Sequence, residues 1–181
     1  MEKENLSILK IELRKKFIQL RQSIPLQRRK EASIEIQTIL RTKGKVLSFY
    51  SFGSEIDLSL LNRRLVEEKR LLFPRIENGL IVPYQVFDLD KSLEKSFYGG
   101  FEPIACPLSK VSLSEISLIL VPGLAFDSEN FRLGYGKGHY DQFLKSTPSI
   151  ETLGVGFKEQ LIKGLLPRDP WDVPLRDLLL L

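Results

Sequence analysis

The sequence predicts an α/β fold, a mainly parallel sheet with helices over both faces, on three observations. Apolar runs such as Val46-Leu47-Ser48-Phe49-Tyr50 and Leu118-Ile119-Leu120-Val121 are continuous, not alternating, which is the pattern of strands buried on both sides. Segments of helical periodicity separate these runs, the order that strand-helix-strand crossovers require. The length, 181 residues, gives one domain a substantial core, so residues 1–181 are expected to form a single domain.

Leu6, Leu13, Phe17, Leu20 and Ile24 recur with a helical period and predict a first helix over about residues 4–22. Lys10 and Arg14, four apart, are neighbours on one side of it. Pro25 suits the first turn of a second helix that runs to about Arg41 and closes at Lys43-Gly44. Val46 to Tyr50 then reads as a short buried strand. Asp57 is an N-cap for a third helix, with Leu58, Leu61 and Leu65 on its apolar face. Leu71-Leu72-Phe73 is the next strand, ended by Pro74-Arg75. Ile81 to Phe87 is another, which Pro83 confines to an edge. Residues 88–115 carry weak signals and read as loops around Tyr98-Gly99-Gly100-Phe101-Glu102-Pro103. Leu118 to Val121 is the strongest strand, stopped by Pro122-Gly123. A helix is expected from about Tyr140 to Lys145. Leu153-Gly154-Val155-Gly156-Phe157 is a further strand, followed by a short helix from Lys158, and Leu178 to Leu181 is a final packed strand.

Composition excludes several classes. The formal charge is +4, from 27 basic and 23 acidic residues, mild enough to suit an anionic small substrate without arguing for nucleic acid, where a concentrated basic stripe is expected. The basic runs Arg14-Lys15-Lys16 and Arg28-Arg29-Lys30 read as solvated helix faces. No apolar run approaches the roughly 20 residues that cross a bilayer. The N-terminus mixes lysine and glutamate with leucine, unlike a signal peptide, so a cytoplasmic location is expected. Cys106 is the single cysteine, which rules out an intrachain disulfide and a cysteine zinc cluster; it reads as a small core or loop residue, not a nucleophile.

The chemistry concentrates in Arg132-Leu133-Gly134-Tyr135-Gly136-Lys137-Gly138-His139-Tyr140-Asp141. Glycine at alternate positions lets the backbone take positive φ and approach a ligand closely. Successive exposed N–H groups make an anion-binding concavity, and a helix starting just after adds its positive end. Arg132 and Lys137 favour phosphate, and Asp141 is a natural ligand for the magnesium that travels with nucleotides. The plainer reading, a mobile glycine loop, stands beside this one. The segment is neither the P-loop nor the dinucleotide fingerprint, whose glycine spacings differ.

In open α/β sheets ligands bind beyond the carboxyl ends of the strands. Those ends are Tyr50 to Glu55, Pro74-Arg75, Pro122-Gly123 with the glycine-rich segment, and Phe157-Lys158-Glu159-Gln160, which are expected to face one crevice. Glu55 is either a helix N-terminal acid or an acceptor for an amino-substituted heterocycle such as a pterin. Arg75 is either a surface residue or an anion clamp. Asp172, in a proline-rich stretch, reads by default as a turn residue. His139, the single histidine, has no partner for a zinc site and reads as a pocket wall more than a general base.

Ordered segments across nearly the whole chain resemble the 5-formyltetrahydrofolate cyclo-ligase family, also called 5,10-methenyltetrahydrofolate synthetases. They are Lys10-Ile11-Glu12-Leu13-Arg14, Ser54-Glu55-Ile56-Asp57, Phe73-Pro74-Arg75, Phe101-Glu102-Pro103, Val121 to Asp127, Arg132 to Asp141, and Gly156 to Gln160. The resemblance implies a three-layer α/β/α domain similar to sugar-phosphate isomerases and CoA transferases. It implies ATP- and Mg2+-dependent closure of 5-formyltetrahydrofolate to 5,10-methenyltetrahydrofolate, with ADP and phosphate released. Carried over by position, Lys10, Arg14, Arg132, Leu133, Gly134, Tyr135, Gly136, Lys137, Gly138, His139 and Tyr140 would bind ATP. Tyr50, Glu55 and Tyr135 to His139 would border the folate, and Asp141 and Asp172 would hold magnesium. Arg132 and Lys137 suit the catalytic role of neutralising a moving phosphoryl group. Where the family usually has Gly-Tyr-Tyr-Asp and His-Asp, this chain has Gly138-His139-Tyr140-Asp141 and Trp171-Asp172. A monomer is expected, with no nucleic-acid or membrane partner. The competing readings are a non-catalytic nucleotide or folate binder and a small-molecule kinase.

Overall fold

The structure, a computed structural model, describes residues 2–97 and 99–181; Tyr98, in the loop expected near it, lies outside the described residues. Six strands form the central sheet: β1 (Lys45–Leu47), β2 (Leu71–Glu77), β3 (Leu80–Gln85), β6 (Ile116–Pro122), β9 (Glu151–Gly156) and β10 (Asp177–Leu180). Short hairpins, β4 (Leu93–Lys95) with β5 (Phe101–Pro103) and β7 (Ala125–Phe126) with β8 (Arg132–Leu133), lie outside it. The helices are α1 (Glu2–Ser23), α2 (Leu26–Ile39), α3 (Ser59–Glu67) and α4 (His139–Lys145). The sheet order is β10-β9-β6-β1-β2-β3, parallel throughout except for the antiparallel pair β2 and β3. The strongest apolar run therefore lies inside the sheet, and the proline-bearing β3 is an edge strand, as its sequence requires.

Successive strand residues point to opposite faces, and the core divides accordingly. Val46, Leu71, Leu120 and Val155 pack with Ala32 and Ile36 of α2 and Leu61 and Leu65 of α3. Leu47, Leu72, Ile119 and Val121 pack with Phe143 and Leu144 of α4. Burying one such side chain stabilises the fold by about 1.5–3 kcal/mol, so continuous strands with both faces covered outweigh any single helix propensity. A third cluster joins Phe17 of α1 to Leu124, Ala125, Leu133 and Leu166. It lays α1 over the β7–β8 hairpin, beyond the carboxyl end of β6. Among the described residues no helix is long and apolar enough to cross a membrane.

Several boundaries differ from expectation for physical reasons. β1 is assigned only to Leu47 because the Asn62 side chain takes over next, accepting from Ser48 Oγ at 2.7 Å and donating to the Phe49 carbonyl at 3.2 Å. Asp57 sits one place outside the cap of α3, but its carboxylate still accepts the Ser59 N–H at 2.8 Å. β2 runs through Pro74 and Arg75 instead of stopping there. Pro74 faces Pro83 in a pair that exchanges no N–H bonds, so the β2–β3 ladder loses no donor. Residues 88–115, read as loops, contain the β4–β5 hairpin, which Arg75 ties to β2 through Glu94 and the Pro103 carbonyl, both at 2.6 Å.

One ring explains three glycines. Phe126 is fully buried, and a Cβ on Gly123, Gly154 or Gly156 would lie 2.7, 2.8 or 3.1 Å from its ring. The Gly154-Val155-Gly156 alternation in β9 thus makes room for Phe126, together with Leu175 and Leu178 at Gly154 and Gln160 at Gly156.

Candidate functional site

Along α1, Lys10, Arg14, Phe17 and Arg21 recur at i, i+4, i+7 and i+11 and therefore share one helix face. Phe17 seats that face in the third apolar cluster; Lys10 and Arg14 line the cavity, while Arg21 is buried behind it. Lys10 Nζ donates to Asp169 Oδ2 at 2.6 Å and Asp172 Oδ2 at 2.7 Å. Arg14 Nε donates to the Gly134 carbonyl at 2.9 Å. Arg21, 1 % exposed, donates to Ser54 Oγ, the Gly123 carbonyl and the Tyr135 hydroxyl.

The glycine-rich segment begins as β8, crosses an exposed loop and enters α4 at Gly138. Gly136 has φ +97° and Gly138 φ +72°, conformations L side chains rarely adopt. A Cβ on Gly136 would also stand 3.1 Å from the Arg14 guanidinium. The loop is therefore a turn that the helix-borne arginine supports from beneath.

Arg132 is buried against its own segment. Its guanidinium pairs with Asp141 at 3.0 Å, donates to the Val173 carbonyl at 3.2 Å and lies 5.8 Å from the centre of the Tyr140 ring. Burial pulls the guanidinium below its ordinary value, and Asp141 opposes that pull. Burial also pushes the Tyr140 hydroxyl well up, with the Glu55 charge adding to the effect. That hydroxyl has no hydrogen-bond partner among the described residues. Burial first, then the Lys137 charge, push the His139 imidazole below its ordinary value.

The carboxylates come from the last residue of the segment and from the C-terminal stretch. Asp141 Oδ1 accepts the Val173 N–H at 3.1 Å; Asp172 Oδ2 accepts the Asp169 N–H at 2.8 Å besides Lys10. Asp169 was absent from the sequence-derived candidates. The stretch that carries it is anchored by Asp127, which is fully buried and accepts from Glu129 N, Phe131 N, Leu166 N and Arg168. Burial alone would raise the Asp127 carboxyl, but these donors outweigh it and hold it below the usual range.

These groups enclose one cavity of about 400 Å3, within the range of small-molecule sites. Lys10, Arg14, all of residues 132–141, Asp169, Trp171 and Asp172 line it, together with Phe52, Pro122 and Gly123. Every residue expected to contact ATP or magnesium thus faces one space. Among the described residues no group of three or more histidines, cysteines or carboxylates could hold a metal by itself. Magnesium does not require one, since it keeps several waters and takes one or two carboxylates with substrate phosphates. Asp141 and Asp172 fit that donor set.

Of the expected folate contacts, Tyr135 to His139 line the cavity, whereas Tyr50 and Glu55 do not. Tyr50 is half-exposed, with its ring centre 5.0 Å from that of Phe101. Glu55, largely buried, accepts the Phe52 N–H at 3.0 Å and lies 4.0 Å from Arg21; burial raises its carboxyl above the ordinary value despite both. Phe52 bridges Glu55 to the cavity wall. Two expectations about strand ends are corrected. Arg75 does not face the cavity, because Glu94, Glu102 and the Pro103 carbonyl occupy it. Residues 157–160 do not face it either: Gln160 is buried and donates to the carbonyls of Gly123 and Leu124 at 2.7 and 3.0 Å.

Comparisons with known proteins agree on one family. Residues 7–180 match the profile of the 5-formyltetrahydrofolate cyclo-ligase family. The 5-formyltetrahydrofolate cyclo-ligase of Haemophilus influenzae is 27% identical over 144 residues, covering 77% of this chain and 76% of that protein. The probable 5-formyltetrahydrofolate cyclo-ligase of Caenorhabditis elegans is 32% identical over 84% of this chain and 82% of its own length. Among solved structures, the NMR structure of Aquifex aeolicus 5,10-methenyltetrahydrofolate synthetase superposes with a TM-score of 0.81 at 34% identity, covering 94% of this chain and 88% of that one.

Proposed function

This chain belongs to the 5-formyltetrahydrofolate cyclo-ligase family, a family of ligases, and on that premise we propose that it closes 5-formyltetrahydrofolate to 5,10-methenyltetrahydrofolate at the cost of one ATP. The observation that carries the reading is the single cavity in which the glycine-rich loop, Lys10, Arg14 and the carboxylates Asp141 and Asp172 converge.

The reaction must remove an oxygen from an N-formyl amide, and that oxygen is a poor leaving group. Attack of the formyl oxygen on the γ-phosphorus of ATP forms a C–O–P linkage and releases ADP, leaving an iminium phosphate. The neighbouring nitrogen of the substrate then attacks the formyl carbon and loses its proton. Inorganic phosphate departs with the original formyl oxygen, and the ring is closed. No covalent bond to the protein is required.

The protein's part is positioning and neutralising charge. The exposed N–H groups of residues 134–138 and the start of α4 cradle phosphate oxygens. Lys137, on the exposed loop, follows the moving phosphoryl group, and Arg132, fixed by Asp141, supplies a stationary positive charge beside it. Lys10 reaches the phosphates from the opposite wall. Asp141 and Asp172 would hold a magnesium ion, which neutralises phosphate charge when bound. Glu55 and Tyr50 border the folate, with Tyr135 to His139 as the wall shared by both substrates.

The test is to mix the protein with ATP, magnesium and 5-formyltetrahydrofolate and follow methenyl-folate absorbance and ADP together. Equal, ATP-dependent formation of the two supports the reading. ADP with a stable phosphorylated folate would make the protein a kinase, and binding without ADP would make it a binder.

A further inference from the structure

Arg21 is the least accessible cation of the α1 stripe, and no role in phosphate binding reaches it. Its guanidinium sits where four separate segments meet. It donates to Ser54 Oγ at 3.2 Å in the loop after β1, to the Gly123 carbonyl at 3.1 Å at the end of β6, and to the Tyr135 hydroxyl at 2.5 Å in the glycine-rich loop. Glu55 Oε1 lies at 4.0 Å, the nearest opposite charge. A guanidinium that needed only to be neutralised would take a close, bidentate carboxylate. This one instead directs its fork to three neutral acceptors on three separate segments, two of which, Gly123 and Tyr135, line the cavity.

The Tyr135 contact is the informative one. Tyr135 is 55 % exposed and stands between two glycines, one with φ +97°, so little in its own backbone fixes the direction of its ring. Packing does not fix it either, because more than half of the residue is exposed. What holds it is α1: Arg14 binds the backbone on its N-terminal side at the Gly134 carbonyl, and Arg21 binds its hydroxyl. Arg14 and Arg21 lie seven residues apart on one rigid helix, so the two bonds fix the loop at backbone and at side-chain tip. The same guanidinium holds Ser54, the neighbour of Glu55.

We propose that Arg21 is a positioning residue for the folate subsite, holding Tyr135 and the Ser54–Glu55 turn at a fixed separation so that the formyl-folate enters between them. The inference rests on the functional reading above, but it has a consequence that needs no turnover. Arg21→Gln should raise amide exchange across residues 134–138 in the ligand-free protein, whereas Arg21→Lys, which keeps the charge and one donor, should raise it less. In steady state, Arg21→Gln and Tyr135→Phe should each raise KM for 5-formyltetrahydrofolate by about tenfold or more, the worth of a lost bond to a charged group. KM for ATP should move less than threefold. The double variant should be no worse than Arg21→Gln alone, since the bond that Tyr135→Phe removes is already among those lost in Arg21→Gln.

Tyr135→Phe removes only a hydroxyl from an exposed side chain, so it keeps the test open if Arg21→Gln fails to fold. Additive KM effects, or unchanged folate KM in Tyr135→Phe, overturn the proposal. So does unchanged exchange of the loop in Arg21→Lys and Arg21→Gln alike. A wild-type protein without ATP-dependent methenyl formation would instead overturn the functional reading, while the exchange experiment would still decide whether Arg21 holds the loop.

Discussion

Lys10 and Asp172 stand 162 positions apart in the chain, and their charged atoms meet at 2.7 Å on the wall of the cavity. Asp169 takes the same ammonium at 2.6 Å. The first helix and the C-terminal stretch are thus held together by groups assigned to phosphate and to magnesium. Under the proposed function, phosphate oxygens would compete for Lys10 and free these carboxylates for the cation. Lys10→Met removes the competitor and the phosphate contact together. It should raise KM for ATP by about tenfold to a hundredfold, with folate KM little changed, measured at saturating folate. Unchanged ATP KM would remove Lys10 from the nucleotide site.

Gly136 is the loop position least tolerant of a side chain. Its φ of +97° is strained for any other residue, and a Cβ there meets the Arg14 guanidinium at 3.1 Å. Gly136→Ala should cost about 1 kcal/mol, a fall in Tm of roughly 2–4 °C for a chain of this size. Activity should fall further than stability, by about tenfold or more in kcat/KM, because the displaced backbone carries the phosphate donors. A loss of Tm with full activity would mean the loop is only a connection.

Glu55 offers a pH-dependent test. Burial raises its carboxyl above the ordinary value, although the Phe52 N–H and Arg21 pull the other way. The folded state then holds a proton that the unfolded chain has lost between the two values, so stability falls as pH rises through that window. The cost persists at neutral pH. Glu55→Gln keeps an acceptor for Phe52 N–H and removes the cost. Its Tm should equal or exceed wild type at pH 7.5, with the difference vanishing as pH falls below the ordinary glutamate value. Folate KM should rise at the same time. A variant less stable than wild type at pH 7.5 would show that the Arg21 attraction dominates burial.

Asp127 acts on the site from outside it. Its carboxylate accepts from four groups and, through Leu166 and Arg168, fixes the stretch that leads to Asp169 and Asp172. Asp127→Asn turns one acceptor oxygen into a donor facing other donors. It should cost about 3 kcal/mol, roughly 6–12 °C in Tm. The native stabilisation is complete above the ordinary aspartate value and is lost as pH falls below it, because these donors hold the carboxyl low. Thermal melts of both proteins from pH 7 downward should therefore converge.

What could be read from the sequence follows from which signals are local. The sheet was legible because Leu118 to Val121 is apolar without interruption and Val46 to Phe49 is broken only by Ser48, the pattern of strands buried on both faces. The glycine-rich loop was legible because positive φ and close approach need glycine itself. Arg21 was missed although its signal was present: Lys10, Arg14, Phe17 and Arg21 keep a helical stripe, and only the first two were read as a pair. Asp169 had no such signal, since its partner Lys10 is distant in sequence and its own surroundings are a proline-rich turn. The β4–β5 hairpin escaped because three-residue strands carry too little alternation. Pro74 misled because a proline ends a strand only where its missing N–H would have been used.

The central claim is that the formyl oxygen leaves as phosphate. It is tested most directly by supplying 5-formyltetrahydrofolate labelled with 18O in the formyl group, with ATP and magnesium in ordinary water, and weighing the inorganic phosphate by mass spectrometry. One 18O per phosphate, matched to methenyl-folate formed, is the predicted result. Unlabelled phosphate, with the label in water, would contradict phosphoryl transfer to the formyl oxygen and with it the roles given to Lys137 and Arg132.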